Sequence, residues 1–173
     1  ALRTVVPEEQ REKYLREMEK AVQIYDSTLQ TGNEVLDTVL TEKSLYCEAH
    51  QITLTCIADG RQLSFMDGVD VYTIFGNALD NAIECVARLP EAEQRLVSVS
   101  VRARSGLALI QVENQLQGDL NFKDGLPQTT KEQKDYHGFG LRSIRYTVEK
   151  YGGHMTIHAE NGRFLLSLSI PQP

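Results

Sequence analysis

The chain lacks a basic surplus: its 173 residues carry 18 Lys and Arg against 24 Asp and Glu, for a net charge of -6 at pH 7 and a pI near 5.2. Neutralising a nucleic acid backbone takes a clustered basic face, so nucleic acid is excluded as the expected partner. It also lacks paired cysteine spacing. Cys47, Cys56 and Cys85 form an odd set without a C-x-x-C step, which argues against a disulfide framework and a zinc site and fits a reducing cytosol. No apolar run reaches the roughly eighteen residues of a membrane span, and no apolar signal-peptide core stands near the start. The chain opens in mid-pattern at Ala1-Leu2-Arg3, which leaves room for an upstream region. What is present is an apolar content of 41%, enough for one compact domain with an appendage.

From about Pro7 to Gln30, the residues Leu15, Met18, Val22, Tyr25 and Leu29 recur at alternating spacings of three and four. That is a heptad seam, and it predicts either a helix that wants a partner helix or an amphipathic helix lying on the domain core. Thr31-Gly32-Asn33 breaks it, and Asn33 is suited to cap a second helix running to about His50. From Gln51 the period changes to that of a strand, with Ile52, Leu54 and Cys56 alternating with Thr53 and Thr55; a turn at Asp59-Gly60 and a short strand are expected next. Val97, Val99, Val101 and Ala103 alternate with polar residues, the pattern of a half-buried strand. Ser105-Gly106 reads as a tight turn into Leu107 to Asn114, and Asn161-Gly162 as a hairpin turn between Met155 to Glu160 and Arg163 to Ile170. Helices over Val69 to Leu89 and Phe139 to Tyr151 are available to cover the apolar face. The expected architecture is a two-layer α/β sandwich with a mainly antiparallel sheet. Gln115 to His137 has no sustained period and is long for a connection, which suits a lid or disorder.

Three features can carry chemistry. On the helix from Val69, the apolar stripe Val71, Ile74, Phe75, Ala78, Ala82, Val86 and Leu89 is opposed by Thr73, Asn77, Asp80, Asn81, Glu84 and Arg88. Asn77 and Asn81 lie one turn apart with their amide oxygens on one side, a donor pair suited to a hard cation such as magnesium; the alternative is a solvated polar face. Second, His137-Gly138-Phe139-Gly140-Leu141 joins the long loop to a helix, where glycines admit close backbone approach and free amides bind anions. The same pattern also serves as an ordinary loop-to-helix turn. Lys131, Arg142 and Arg145 can add positive charge or simply be solvated. Third, Asn114 shares a strand face with Ala108, Ile110 and Val112, so a buried amide needs a partner there: the edge of a purine, or its own loop backbone.

In this order the features resemble the GHKL, or Bergerat-fold, ATPases. Phe75-Gly76-Asn77-Ala78-Leu79-Asp80-Asn81-Ala82-Ile83-Glu84 looks like the N box of that family, His137 to Leu141 like its second glycine box, and Tyr151-Gly152-Gly153 like the end of the helix that follows. Asp80-Asn81-Ala82-Ile83-Glu84, with Thr130-Lys131 ahead of His137-Gly138, is most similar to the sensor histidine kinases of peptide quorum sensing. The resemblance implies ATP and Mg2+ as ligands, with Asn77 and Asn81 at the metal and phosphates. It implies Gly138 and Gly140 in the phosphate loop with His137, Phe139 and Leu141 beside them, Lys131 in an ATP lid, and Asn77 or Glu84 orienting the nucleophile. Asn114 stands where most relatives carry the Asp of Asp-x-Gly-x-Gly. Gln115, Leu116 and Gln117 follow it, so the first glycine box is missing, but an amide oxygen can still accept from the adenine amino group.

The resemblance further implies that residues 1–31 are the second helix of a dimerisation and phosphoacceptor hairpin and that residues 32–173 are the ATP-binding catalytic domain. The acceptor histidine would belong to an upstream helix, because His50, His137, His154 and His158 all lie outside the heptad helix. The implied activity is transfer of the ATP γ-phosphoryl group to that histidine, in a cytoplasmic domain of a homodimeric membrane receptor that serves a response regulator. Two alternatives share the fold: a degenerate nucleotide-binding scaffold, or another GHKL-type ATPase or serine kinase.

Overall fold

The structure is a computed structural model that describes residues 10–18, 31–118, 120–128 and 137–173, with residues 137 and 138 described by their backbone alone. Helix α1 covers residues 10–18. Its seam residues Leu15 and Met18 are exposed, and the seam positions Val22, Tyr25 and Leu29 lie outside the described residues.

Helix α2, Glu34–Ala49, begins as its sequence predicts: Asn33 is extended at φ -127°, and its side chain accepts from the Leu36 amide at 3.0 Å. Thr31 is tied in from behind, its backbone amide and hydroxyl both donating to the buried Asp37 carboxylate. Strand β1, Thr53–Ala58, follows and half-buries Leu54, Cys56 and Ala58. In place of the expected short strand after Asp59-Gly60 there is a 3-10 turn, Gly60–Leu63. The reason is local: the Asp59 carboxylate accepts from the Arg61 backbone and guanidinium and from the Gln62 amide. That curls the backbone and leaves no extended run.

Helix α3, Gly68–Ala87, returns the chain so that β2, Leu96–Arg104, lies parallel to β1. A parallel pair requires such a crossover, whereas the remaining pairings of the same sheet are antiparallel, two of them joined by short turns. β2 runs into β3, Leu107–Gln115, through Ser105 and Gly106 at φ 53° and 76°. β6, His154–Glu160, runs into β7, Arg163–Pro171, through Asn161 and Gly162 at φ 52° and 73°. Both are turns with two positive φ angles, as the residue pairs predict. The five strands lie in the order β1-β2-β3-β7-β6. Between residues 115 and 137 the structure departs from an aperiodic loop. β4, Phe122–Lys123, and β5, Leu126–Pro127, form a small hairpin about Asp124 and Gly125, at φ 55° and 74°.

The chain is thus a two-layer α/β sandwich. Ile110 and Val112 of β3 face Val71, Ile74, Phe75, Ala78, Ala82 and Val86 of α3, and Leu166, Leu168 and Ile170 of β7 belong to the same buried cluster. Each of these side chains larger than alanine contributes about 1.5–3 kcal/mol of burial. Helix α4, His137–Lys150, adds Leu141, Ile144 and Val148. The expected pair of covering helices is joined by a third, for α2 turns Leu36, Val39, Leu40 and Cys47 inward. Ala103, expected on the inner face of β2, is exposed near the hairpin end.

α3 and α4 are clamped where the start of one meets the end of the other. Asp70, 7% exposed, accepts from Lys150 Nζ at 2.8 Å and from the Tyr151 hydroxyl, whose oxygen in turn accepts from the Asp67 amide at 3.0 Å. Gly152, at φ 74°, closes α4, and Gly153 passes so close to β7 that an added Cβ would meet the Ser169 carbonyl oxygen at 2.6 Å. Burial opposes the Asp70 charge, but the bonds from Lys150 and Tyr151 outweigh it and hold the carboxyl below the usual carboxylate range. A depressed folded pKa means that the stabilisation is present above the unfolded pKa of about 4 and is lost as pH falls through the folded value. Asp70→Asn is therefore expected to cost about 1–2 kcal/mol at pH 7, with the gap from the parent chain narrowing as pH falls below about 4. Urea unfolding of both proteins at pH 7 and pH 3 checks this, and a gap of equal size at the two pH values would exclude the ionic clamp.

Candidate functional site

The face of α3 turned away from the core carries half-buried Thr73, Asn77, Asn81 and Glu84, with Asp80 and Arg88 exposed. Asn77 is oriented by its own helix: Nδ2 donates to the Thr73 carbonyl at 2.8 Å, which leaves Oδ1 as the free acceptor. That oxygen faces the start of α4. A Cβ added at Gly140 would sit 3.4 Å from Asn77 Oδ1 and 3.8 Å from Asn77 Cβ and Cγ. The absent side chain at Gly140 is what keeps the α4 backbone close to Asn77.

The Asn-x-x-x-Asn and Gly-x-Gly patterns, far apart in sequence, therefore meet at one place, where Gly140 faces Asn77. α4 starts at His137, so the unsatisfied amides of its first turn lie beside Asn77, with the positive end of the helix dipole. Phe139 stands 65% exposed there, whereas Leu141 is in the core at 4%. Leu141 can thus offer a ligand only its backbone amide. Gly138 belongs to the same first turn, the His137 side chain is not described, and Lys131 lies outside the described residues. Arg142 is exposed, and Arg145 donates to the Asp124 carbonyl at 2.8 Å, turned toward the β4–β5 hairpin.

One turn beyond Asn77 comes Asn81, and one turn further Cys85. The three form a row about 12 Å long at the rise of an α-helix. At its far end is Asn114, the last inward residue of β3, only 2% exposed. Its Nδ2 donates to the Gln115 carbonyl at 2.8 Å, and its buried Oδ1 has no hydrogen-bond partner among the described residues. The Cys85 thiol lies against this side chain: burial pushes its pKa up, while Asn114 and the Arg88 charge pull part of the way back. A buried acceptor without a donor costs about 1–3 kcal/mol, a cost that any donor reaching it would relieve. Leu89, Pro90, Leu96, Gln115 and Leu116 border a hollow of about 320 Å³ at this end of the sheet.

Two participants were not singled out from the sequence. Cys85 continues the four-residue spacing of Asn77 and Asn81, a signal that was there to be used. Lys43 of α2 donates to Asp80 Oδ1 at 2.6 Å, a contact across 37 residues that no local pattern announces. It takes the Asp80 carboxylate toward α2 and away from the asparagine row. Among the described residues, no group of three or more His, Cys, Asp or Glu is placed to hold a metal by itself.

A family model described as "GHKL domain" matches residues 66–171. Among solved structures, the catalytic domain of histidine kinase ThkA in a nucleotide-free form is similar at a TM-score of 0.61 and 16% identity, over 80% of this chain and 92% of that one. Acinetobacter baumannii histidine kinase AdeS is similar at a TM-score of 0.53 and 12% identity, over 94% of this chain and 81% of that one. At these identities the likeness is one of fold. A search of curated proteins returns no match. The matched residues contain the asparagine row, Asn114 and the glycine turn together, and the chain belongs to the GHKL domain family.

Proposed function

We propose that the chain is the ATP-binding catalytic domain of a sensor histidine kinase and that it transfers the ATP γ-phosphoryl group to a histidine on an upstream helix. The observation that carries the reading is the orphaned Asn114 oxygen at one end of a row whose other end meets a helix N-terminus. A purine amino group would supply the donor that Asn114 lacks. A phosphate chain would reach the first-turn amides of α4, which bind anions without needing a basic surface.

Magnesium fits the donor set, since Asn77 and Asn81 present neutral amide oxygens of the hard type it takes, with the rest of its shell drawn from water and phosphate. When bound, it would supply neutralisation of charge on the phosphate oxygens. The chain's own residues would bind and orient. Asn114 would fix the base, Gly138 and Gly140 would let the backbone close on the phosphates, and Glu84, half-buried on the same face, would orient the incoming imidazole. In the transfer a nitrogen–phosphorus bond forms as the bond from the γ-phosphorus to the bridging oxygen breaks, and ADP leaves. Catalysis of this kind rests on positioning. Under the same proposal residues 1–31 are the second helix of the acceptor hairpin, Lys131 serves a lid, and the full-length protein is a membrane-bound homodimer that passes the phosphoryl group to a response regulator.

Asn81→Ala is expected to weaken Mg-ATP binding at least tenfold, in the range of about 10–100-fold seen when groups supporting a metal site are removed, and to leave the fold intact. Calorimetric titration tests this, and parent-like affinity would take Asn81 out of the site. Asn114→Val gives an independent check. With the orphaned oxygen gone from a central strand, stability should stay within about 1 kcal/mol of the parent or rise, while discrimination of ATP from GTP is lost. A loss above about 2 kcal/mol would show that Asn114 is a structural residue.

A further inference from the structure

Lys43 stands where an apolar residue belongs. α2 turns Leu36, Val39, Leu40 and Cys47 into the core, and a helical stripe with those members continues through position 43. The Lys43 side chain is accordingly only 15% exposed, and its Nζ lies 2.6 Å from Asp80 Oδ1 and 3.8 Å from Glu42 Oε1. Burial works against the ammonium, but the hydrogen bond and charge of Asp80 outweigh it, and its pKa lies above the ordinary lysine value. The ammonium thus stays charged at neutral pH.

Asp80 is placed between the two asparagines of the site, three residues after Asn77 and one before Asn81. We propose that Lys43 is a positioning residue for nucleotide binding, holding from α2, through Asp80, the rotation of the α3 segment that presents Asn77 and Asn81. The proposal rests on the nucleotide site argued above. Its physical basis is leverage. An amide oxygen about 6 Å from the axis of a helix moves by about 1 Å when the helix turns by about 10°, and about 1 Å is enough to cost a positioned site on the order of a hundredfold. The buried stripe of α3 resists that rotation from the sheet side. Lys43 resists it from the opposite quarter, with a short charge-assisted bond to the very segment that matters.

The other end of α2 shows what Lys43 is connected to. The Asp37 carboxylate holds the Thr31 amide and hydroxyl, and the Thr31 carbonyl accepts from the Gly60 amide at 2.7 Å. The point at which the preceding chain enters the domain is therefore fastened both to α2 and to the connection that leads into α3.

The test is Mg-ATP affinity by calorimetry on Lys43→Met, Lys43→Arg, Asp80→Asn and the Lys43→Met/Asp80→Asn double variant. Methionine keeps the packing of the lysine stem and removes the donor. Lys43→Met and Asp80→Asn should each lose about three- to tenfold in affinity, the double variant should lose no more than either, and Lys43→Arg should bind as the parent does. Such non-additivity marks two residues acting through one contact. Should Lys43→Met fail to fold, Asp80→Asn reports on the same contact from its exposed side. Parent-like affinity in Asp80→Asn overturns the proposal, as does tighter binding, which would show that Lys43 only offsets a repulsive charge. Losses that multiply in the double variant also overturn it. A parent chain that does not bind Mg-ATP would remove the nucleotide site and this proposal together. If the parent binds, Asn81→Ala does not, and the Lys43 and Asp80 variants bind normally, only the present proposal falls.

Discussion

One helix has to satisfy two surfaces at once, and the domain is arranged around that constraint. α3 must bury Val71, Ile74, Phe75, Ala78, Ala82 and Val86 against the sheet while its other side presents Asn77, Asn81 and Cys85 as a straight row. The apolar stripe sets the rotation of the helix, because turning it would expose aliphatic surface at about 25 cal/mol per Å². The stripe does little to fix its position along its own axis. That coordinate is held at the ends, where Asp70 binds Lys150 and Tyr151 and where Asn77 abuts Gly140. The register of α4 on α3 thus determines whether the first-turn amides of α4 lie beside the asparagines.

Buried polar groups in the domain divide into two kinds. Asp37 and Asp70 are buried carboxylates with donors on hand, Thr31 for the first and Lys150 with Tyr151 for the second. They stabilise the ordered junctions at which they sit, since removing one partner would strand a charge. Asn114 differs. It sits near the end of the central strand, between Val97 and Phe164 in register, where a β-branched apolar residue would pack better. Its unpartnered oxygen is a standing destabilisation with no return inside the folded chain. Residues retained against stability are where function is expected to lie.

The elements legible in the sequence were those whose signal is local. The alternation of Val97, Val99 and Val101, the Ser105-Gly106 and Asn161-Gly162 turns, the Asn33 cap and the two-faced α3 each depend on residues within one turn or one hairpin. Asn77, Asn81 and Gly140 were readable as candidates for the same reason, although only the fold brings Gly140 to Asn77. What escaped was decided by longer or subtler competition. Asp59 captured the backbone of Arg61 and turned an expected strand into a 3-10 turn. Asp124-Gly125 is as good a turn pair as the other two, but strands of two residues have no period to detect. Lys43 carried no signal, because nothing near it in sequence reveals Asp80. The one available hint was its place on the stripe of Leu36, Leu40 and Cys47.

Under the proposed function an acidic chain has to bind a polyanion, which poses an electrostatic problem. With a net charge of -6, long-range attraction cannot gather a triphosphate, and exposed charges are screened beyond about 8 Å at physiological ionic strength. Among the described cations of α4, Arg145 is engaged by the Asp124 carbonyl and Lys150 by Asp70, which leaves the exposed Arg142 as a single charge against the surplus of carboxylates. The remaining means are short-ranged: the amides at the start of a 14-residue helix, with a dipole of about half a charge at that end, and the asparagines that can admit a divalent cation with the phosphates. Such a site gains its affinity within the last few ångströms, from dipoles already in place. Its performance is therefore governed by the rotation and register of α3 and α4 to within about an ångström, more than by the charge of the surface around it.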